Sequence, residues 1–212
     1  MRGPFRCVVF AGLLAACGDD ASMPGSDAAA GGGLVVTWST LPATWPATVS
    51  DGLTVEVATF AFDRLRVVGD AAPGDPRTTA GAFELRWDDV TKPSDLAFPD
   101  APSGVYSQLS LLVDGHVAGP SIELRGHARV GTTDYEYLIT DDMPFSVTLA
   151  IDKTLRPPAV TTLGLRIDFA HAIEAIDFAT IDNDAGTLTL DNADPQMATF
   201  RAKLMESFST VN

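Results

Sequence analysis

The amino-acid sequence predicts a mainly β fold, an antiparallel sandwich of about eight strands with one amphipathic helix near its C-terminal end. Three observations predict it. Apolar and polar residues alternate with period two through most of residues 34–190, the pattern of strands buried on one face. Turn-forming clusters punctuate these runs at short intervals, among them Pro73-Gly74-Asp75-Pro76, Gly119-Pro120 and Arg156-Pro157-Pro158, as in chains of hairpins. No helical periodicity separates the strands, so a parallel sheet wound with crossover helices is excluded.

The elements follow in chain order. Leu34-Val35-Val36-Thr37-Trp38-Ser39 reads as a short strand, and Leu53 to Val68 as a long one. In the long run apolar parity shifts from Val55/Val57 to Phe60/Phe62 and back to Leu65/Val67. A bulge or break near Asp63 accounts for that shift. Phe83, Leu85 and Trp87 alternate with Glu84, Arg86 and Asp88, which places Trp87 in the core. Val105 to Val113, Ile122 to Val130, Tyr135 to Ile139, Phe145 to Ile151 and Leu163 to Phe169 continue the series, and Thr187–Leu190 ends it. One or two helical turns fit His171 to Phe178. The stronger helix runs from Gln196 to about Phe208, with Asp194 as N-cap and Pro195 at the first helical position. Met197, Phe200, Leu204 and Phe208 share its apolar face.

The chain has 212 residues, with 14 Lys and Arg against 28 Asp and Glu, for a formal net charge of −14. Nucleic-acid binding requires clustered cations and is excluded by this balance. Electrostatic docking on anionic lipid is disfavoured for the same reason.

Arg2 and Arg6 precede the apolar run Val8-Val9-Phe10-Ala11-Gly12-Leu13-Leu14, the layout of a signal peptide. That run is too short to span a bilayer, which takes about 20 residues. Its end, Leu14-Ala15-Ala16-Cys17, resembles the lipobox of bacterial lipoproteins. The resemblance implies cleavage before Cys17, lipidation of that residue and attachment to the cell envelope. Gly18 follows the Cys, with Asp only at Asp19 and Asp20, which implies sorting to the outer membrane. Loss of residues 1–16 removes Arg2 and Arg6, taking the formal charge from −14 to −16. Cys7 leaves with the signal, so no disulfide is expected in the mature chain. Gly18 to Gly33 lacks aromatic and β-branched residues and reads as a tether, about 20–24 Å long as a flexible coil. The expected division is therefore a signal peptide over 1–16, lipidated Cys and tether over 17–33, and one β-sandwich domain over 34–212.

Further motifs lie inside that domain. Pro102-Ser103-Gly104-Val105-Tyr106-Ser107-Gln108-Leu109, Pro120-Ser121-Ile122-Glu123-Leu124-Arg125-Gly126, Pro144-Phe145-Ser146-Val147 and the closing Glu206-Ser207-Phe208 resemble an uncharacterised class of exported bacterial β-sandwich lipoproteins. The resemblance implies an immunoglobulin-like or transthyretin-like sandwich and carries over no functional residue.

Chemistry-bearing residues are sparse. No HExxH, Gly-x-Ser-x-Gly, Gly-x-Gly-x-x-Gly or P-loop pattern occurs. His127 stands between Arg125 and Arg129, company that disfavours a cation. Asp182-Asn183-Asp184-Ala185-Gly186 is the candidate calcium loop, with Asp182 and Asp184 as ligands. The same residues suit a polar hairpin turn, and the EF-hand register fails at Thr187 and Ala193. Asp168, Glu174 and Asp177 are the candidates for a hydrolytic carboxylate pair. Asp141-Asp142 and Asp88-Asp89 read as loop charges. Trp45, framed by Pro42 and Pro46, is the candidate platform for stacking a sugar. The leading expectation is a lipid-anchored envelope protein without catalysis or cofactor. Its partner is the membrane, through the lipid, and an envelope protein or glycan. A carbohydrate- or calcium-dependent binding module and a carboxylate-dependent hydrolase are the alternatives.

Overall fold

A computed structural model describes residues 33–69, 76–115 and 119–211. The chain is mainly β and forms two sheets. In order, its elements are β1 (Leu34–Leu41), β2 (Ala47–Ser50), β3 (Leu53–Val68), β4 (Arg77–Ala80), β5 (Phe83–Trp87), β6 (Leu96–Phe98), β7 (Gly104–Val113), β8 (Ile122–Val130), β9 (Thr133–Asp141), β10 (Phe145–Leu155) and β11 (Thr161–Asp168). There follow helix α1 (Phe169–Ile173), β12 (Asn183–Asp184), β13 (Thr187–Leu190), helix α2 (Met197–Glu206) and β14 (Phe208–Val211). The sequence reading missed β2, β4, β6, β12 and β14, each of two to four residues.

β3 organises the larger sheet. Its first half pairs with β8 along one edge and its second half with β7, while β2, β5 and β4 succeed one another along the other edge. The change of partner falls at Ala61, whose N–H donates to the Ser121 carbonyl at 2.9 Å and whose carbonyl accepts the Asp114 N–H at 3.0 Å. The β3–β7 register slips between Phe62 and Arg64, so the expected bulge sits at Asp63. Beyond these strands lie β10 on the β7 side and β9, β13 and β12 on the β8 side.

The smaller sheet runs β14-β11-β1-β6. Here the antiparallel expectation needs correction. β1 and β11 pair in parallel over Leu34–Leu41, and β13 is parallel to β9. Alternation along a strand reports which side chains are buried, whichever way its neighbour runs. The chain leaves β1, builds most of the larger sheet, and returns beside β1 in the same direction.

The two inner faces meet in one apolar core. Phe62 stacks on Phe83 with centroids 4.9 Å apart, and Trp38 lies 6.0 Å from each. Phe60 contacts Trp87, Phe169 and Phe208, joining strands of both sheets. Each such pair adds about 0.5–1.5 kcal/mol beyond simple burial. Tyr106 is fully buried, and its hydroxyl donates to the Pro102 carbonyl four residues upstream at 2.8 Å.

The late helix is shorter than its periodicity suggests. The expected N-cap is corrected: Gln196 precedes the first helical residue and makes no side-chain cap hydrogen bond, while Asp194, two residues earlier, accepts the Gln196 N–H at 2.8 Å and closes the turn over Pro195. Met197, Phe200 and Leu204 are buried as expected. Phe208 is buried too, but it opens β14 opposite Ile167. The change occurs at Ser207, whose hydroxyl returns to the Lys203 carbonyl at 2.8 Å.

Candidate functional site

Cys17, the rest of the lipobox, the tether as far as Gly32, and His116 lie outside the described residues. Trp45 is half-buried. Its ring stacks on Trp87 at 6.4 Å and meets Phe169 edge-on at 5.6 Å, and its indole N–H donates to Thr40 Oγ1 at 3.1 Å. Asp182 and Asp184 are exposed, at a tight hairpin between β12 and β13. Ala185 and Gly186 turn it with φ of 52° and 100°, the paired positive values that two-residue hairpins require. Asn183 Oδ1 accepts the Gly186 N–H at 2.8 Å and holds the turn. Among the described residues no three His, Cys, Asp or Glu gather closely enough to hold a metal ion.

The candidate carboxylates have local partners. Asp168 caps α1 by accepting the His171 N–H at 3.2 Å, and Asp177 accepts the Ala179 N–H at 3.1 Å. Glu174 is exposed just beyond α1. Glu206 receives Lys203 Nζ at 2.9 Å and His171 Nε2 at 3.2 Å. The Lys203 hydrogen bond first, and that of His171 second, hold its carboxyl below the ordinary range.

One carboxylate departs from its sequence reading as a loop charge. Asp141 is fully buried and receives Arg201 Nε at 2.7 Å and a second guanidinium nitrogen at 2.8 Å. The hydrogen bond to Asp141 raises the pKa of Arg201. This pair fastens α2 to the end of β9. Parity held the signal, because Asp141 continues the inward series of Tyr137 and Ile139. Nearby lies an open cleft of about 570 Å³, bordered by Pro120, Thr140, Asp142, Asp191 and Asn192.

The outer face of the larger sheet divides into two electrostatic halves. Over β8, β9 and the first half of β3, basic side chains have acidic partners. His127 meets Glu56 at 3.2 Å, Arg125 meets Glu123 at 2.9 Å, and Arg129 meets Asp134 at 2.9 Å. Beneath them Tyr137 crosses Gly126, and its hydroxyl donates to the Thr54 carbonyl at 2.9 Å. Burial first, and then the charge of Glu56, push the Tyr137 phenol up.

Over β4, the second half of β3, β7 and β10 the arrangement differs. After the bulge at Asp63, Leu65 and Val67 point inward, so Arg64 and Arg66 point out. Strand register then builds three rows. Arg64 aligns with Leu112 and Ser146. Thr79, Arg66, Ser110 and Thr148 form the middle row. Arg77, Val68, Gln108 and Ala150 form the last. Arg64 and Arg66 are about 7 Å apart along the strand, and Arg77 is a diagonal neighbour of Arg66 at roughly 7–8 Å. All three are exposed. Among the described residues none of the three makes a side-chain hydrogen bond or ion pair. No carboxylate occupies any position of the three rows. The exposed Asp63 and Asp152 sit at the bulges that border them. Like charges this close repel one another, and no described residue of the rows offsets them.

Sequence reasoning missed this face. The alternation Arg64-Leu65-Arg66-Val67 was its one local signal. A further arginine, Arg166, stands on the outer side of the smaller sheet between Ser39 and Ser209, its Nε buried without a hydrogen-bond partner.

No protein-family model, curated protein or solved structure matches this chain.

Proposed function

We propose that the chain is a lipid-anchored protein of the bacterial cell envelope with a non-catalytic binding or scaffolding role. The binding half of this reading rests on one observation, the unpaired arginine face of β4, β3, β7 and β10. The anchoring half rests on Leu14-Ala15-Ala16-Cys17, with Cys17 carrying acyl chains, residues 18–33 spacing the domain from the outer membrane, and residues 34–212 acting as one unit. Each buried methylene contributes about 0.8 kcal/mol, so two or more chains hold firmly. Among the described residues no helix is long and apolar enough to cross a membrane.

The immunoglobulin-like or transthyretin-like reading draws support from the Tyr106 hydroxyl on Pro102, a closure akin to the tyrosine corner of immunoglobulin sandwiches. The parallel pairs β1–β11 and β13–β9 depart from an all-antiparallel order.

Two measurements test the proposal. Cys17→Ser should move the protein from the membrane to the soluble fraction and abolish acyl labelling; a variant that stays membrane-bound refutes the anchor. Titration with soluble polyanions should shift amide resonances of β3, β4 and β7 around Arg64, Arg66 and Arg77. Shifts confined to other surfaces, or none, refute the binding face.

A further inference from the structure

We infer that the ligand of the arginine face is a linear acidic polysaccharide whose carboxylates lie along Arg64, Arg66 and Arg77. This inference rests on the proposed binding role and names its ligand class. Three features of the face select that class.

The first is the donor set. A guanidinium presents a rigid fork that matches a carboxylate in two parallel hydrogen bonds. Three forks at roughly 7 Å steps suit a polymer that repeats its charge. The second is what lies beside the arginines. Ser110, Thr148 and Gln108 continue the same rows away from Arg66 and Arg77. Their hydroxyl and amide groups both donate and accept, which is what sugar hydroxyls need once the acid groups are fixed. The third is shape. The rows come from four adjacent strands of one sheet, so the three guanidinium groups are set out across paired strands and not gathered at one point.

The competing polyanions fit less well. A bilayer would press on the whole side of the molecule, including the exposed Asp63 and Asp152. A narrow polymer touches the rows alone. Nucleic acids draw affinity from many phosphate contacts, or from bases stacked on aromatic rings, and the rows hold three cations and no aromatic residue. An acidic protein would be expected to seat an aromatic or aliphatic anchor in a pocket, and among the described residues the clefts at other parts of the surface are lined by none of the row residues. A neutral sugar would call for exposed aromatic faces, again absent from the rows.

The test uses the full-length protein in detergent solution and fluorescent oligogalacturonate as probe. Polyaspartate, phosphatidylglycerol vesicles and neutral dextran oligomers serve as comparisons. Wild-type protein should bind oligogalacturonate more tightly than polyaspartate or the vesicles, with affinity falling as salt rises, and should ignore dextran. Arg64→Gln, Arg66→Gln and Arg77→Gln together should weaken binding at least tenfold. Lys92→Gln with Arg166→Gln, which removes cations elsewhere, should change it less than twofold. Replacing the three arginines by lysine keeps the charge and removes the fork, and should still weaken binding severalfold. Urea unfolding of each variant confirms that it folds. Equal or tighter binding of polyaspartate or vesicles overturns the polysaccharide assignment and leaves the binding role standing. Lysine variants that match wild type overturn forked carboxylate recognition. Binding to no polyanion, or binding that the triple glutamine variant leaves intact, overturns the binding face itself.

Discussion

Replacing Arg201 by Met should destabilise the protein by about 3 kcal/mol. Asp141 is fully buried and Arg201 is 19% exposed at the side chain, with hydrogen bonds of 2.7 and 2.8 Å joining them. Without the guanidinium, Asp141 retains the Met143 N–H at 3.0 Å as its other hydrogen-bond partner. Breaking a buried ion pair costs about 3–5 kcal/mol, because the surviving charge stays in a poor solvent. The partial exposure of Arg201 admits water to its side and places the expected loss at the lower end. For a chain of this size that loss lowers Tm by roughly 6–12 °C. Asp141→Leu combined with Arg201→Met removes both charges and should recover most of the stability. Urea unfolding followed by tryptophan fluorescence measures all three variants. An Arg201→Met loss below about 1 kcal/mol would refute the buried-pair reasoning. So would a double variant as unstable as the single one, since the cost would then come from lost packing and not from a stranded charge.

Two further outcomes follow from local geometry. An added Cβ at Gly126 would stand 1.9 Å from the Thr54 carbonyl oxygen and 2.8 Å from the Tyr137 hydroxyl. Gly126→Ala should therefore destabilise at or above the top of the roughly 1–3 kcal/mol overpacking range, and a shift below about 1 kcal/mol in urea would contradict the β3–β8–β9 register. Burial raises the pKa of Asp88, but hydrogen bonds from Arg86 and from the Thr91 and Val90 amides outweigh it and hold the carboxyl at about 2, against an ordinary 3.8. A carboxyl depressed on folding stabilises above its unfolded pKa, and that contribution is lost as pH falls through the folded value. Wild type should therefore exceed Asp88→Asn in Tm above about pH 4, with the two curves converging near pH 2; parallel curves across that window would contradict the assignment.

The sequence made legible whatever depends on neighbours along the chain. Phe83, Leu85 and Trp87 alternate cleanly, and Leu85 and Trp87 are buried as the period requires. Of the two parity changes in Leu53–Val68, the second located the bulge at Asp63, because inward side chains change phase only where a residue is added, whereas the first belongs to a separate bulge at Glu56 that the reading did not distinguish. Strands fixed by their partners left weaker traces. Leu96–Phe98 is too short to display a period and takes its identity from pairing with β1. Phe208 stands four residues after Leu204 and fits a helix by spacing, yet its pairing with Ile167 makes it a strand residue. Asp141 was misread because a charged residue beside a second aspartate suggests solvent, and its partner Arg201 lies 60 residues away.

The arginine face belongs to this second kind, and its origin explains why an acidic chain retains it. Without the bulge, the parity of Phe60 and Phe62 would carry through β3 and turn Arg64 and Arg66 into the core, where an unpaired guanidinium is prohibitively costly. The bulge turns Leu65 and Val67 inward, so both arginines must point outward together. Packing therefore dictates that positions 64 and 66 are exposed, but it does not dictate that they are cationic. Serine or threonine would serve solubility equally well there, as Ser110 and Thr148 do in the adjacent strands. Nor does packing call for a third cation at Arg77, placed diagonally across the β3–β4 pair with no carboxylate in the rows to neutralise it. Elsewhere on the same sheet the outward arginines Arg86, Arg125 and Arg129 each have an acidic partner within 3 Å. Among the described residues of the larger sheet, the arginines with acidic partners thus lie on one half of the outer face, and the three without lie together on the hydroxyl-bearing half. A ligand that brings its own negative charges supplies what this surface lacks.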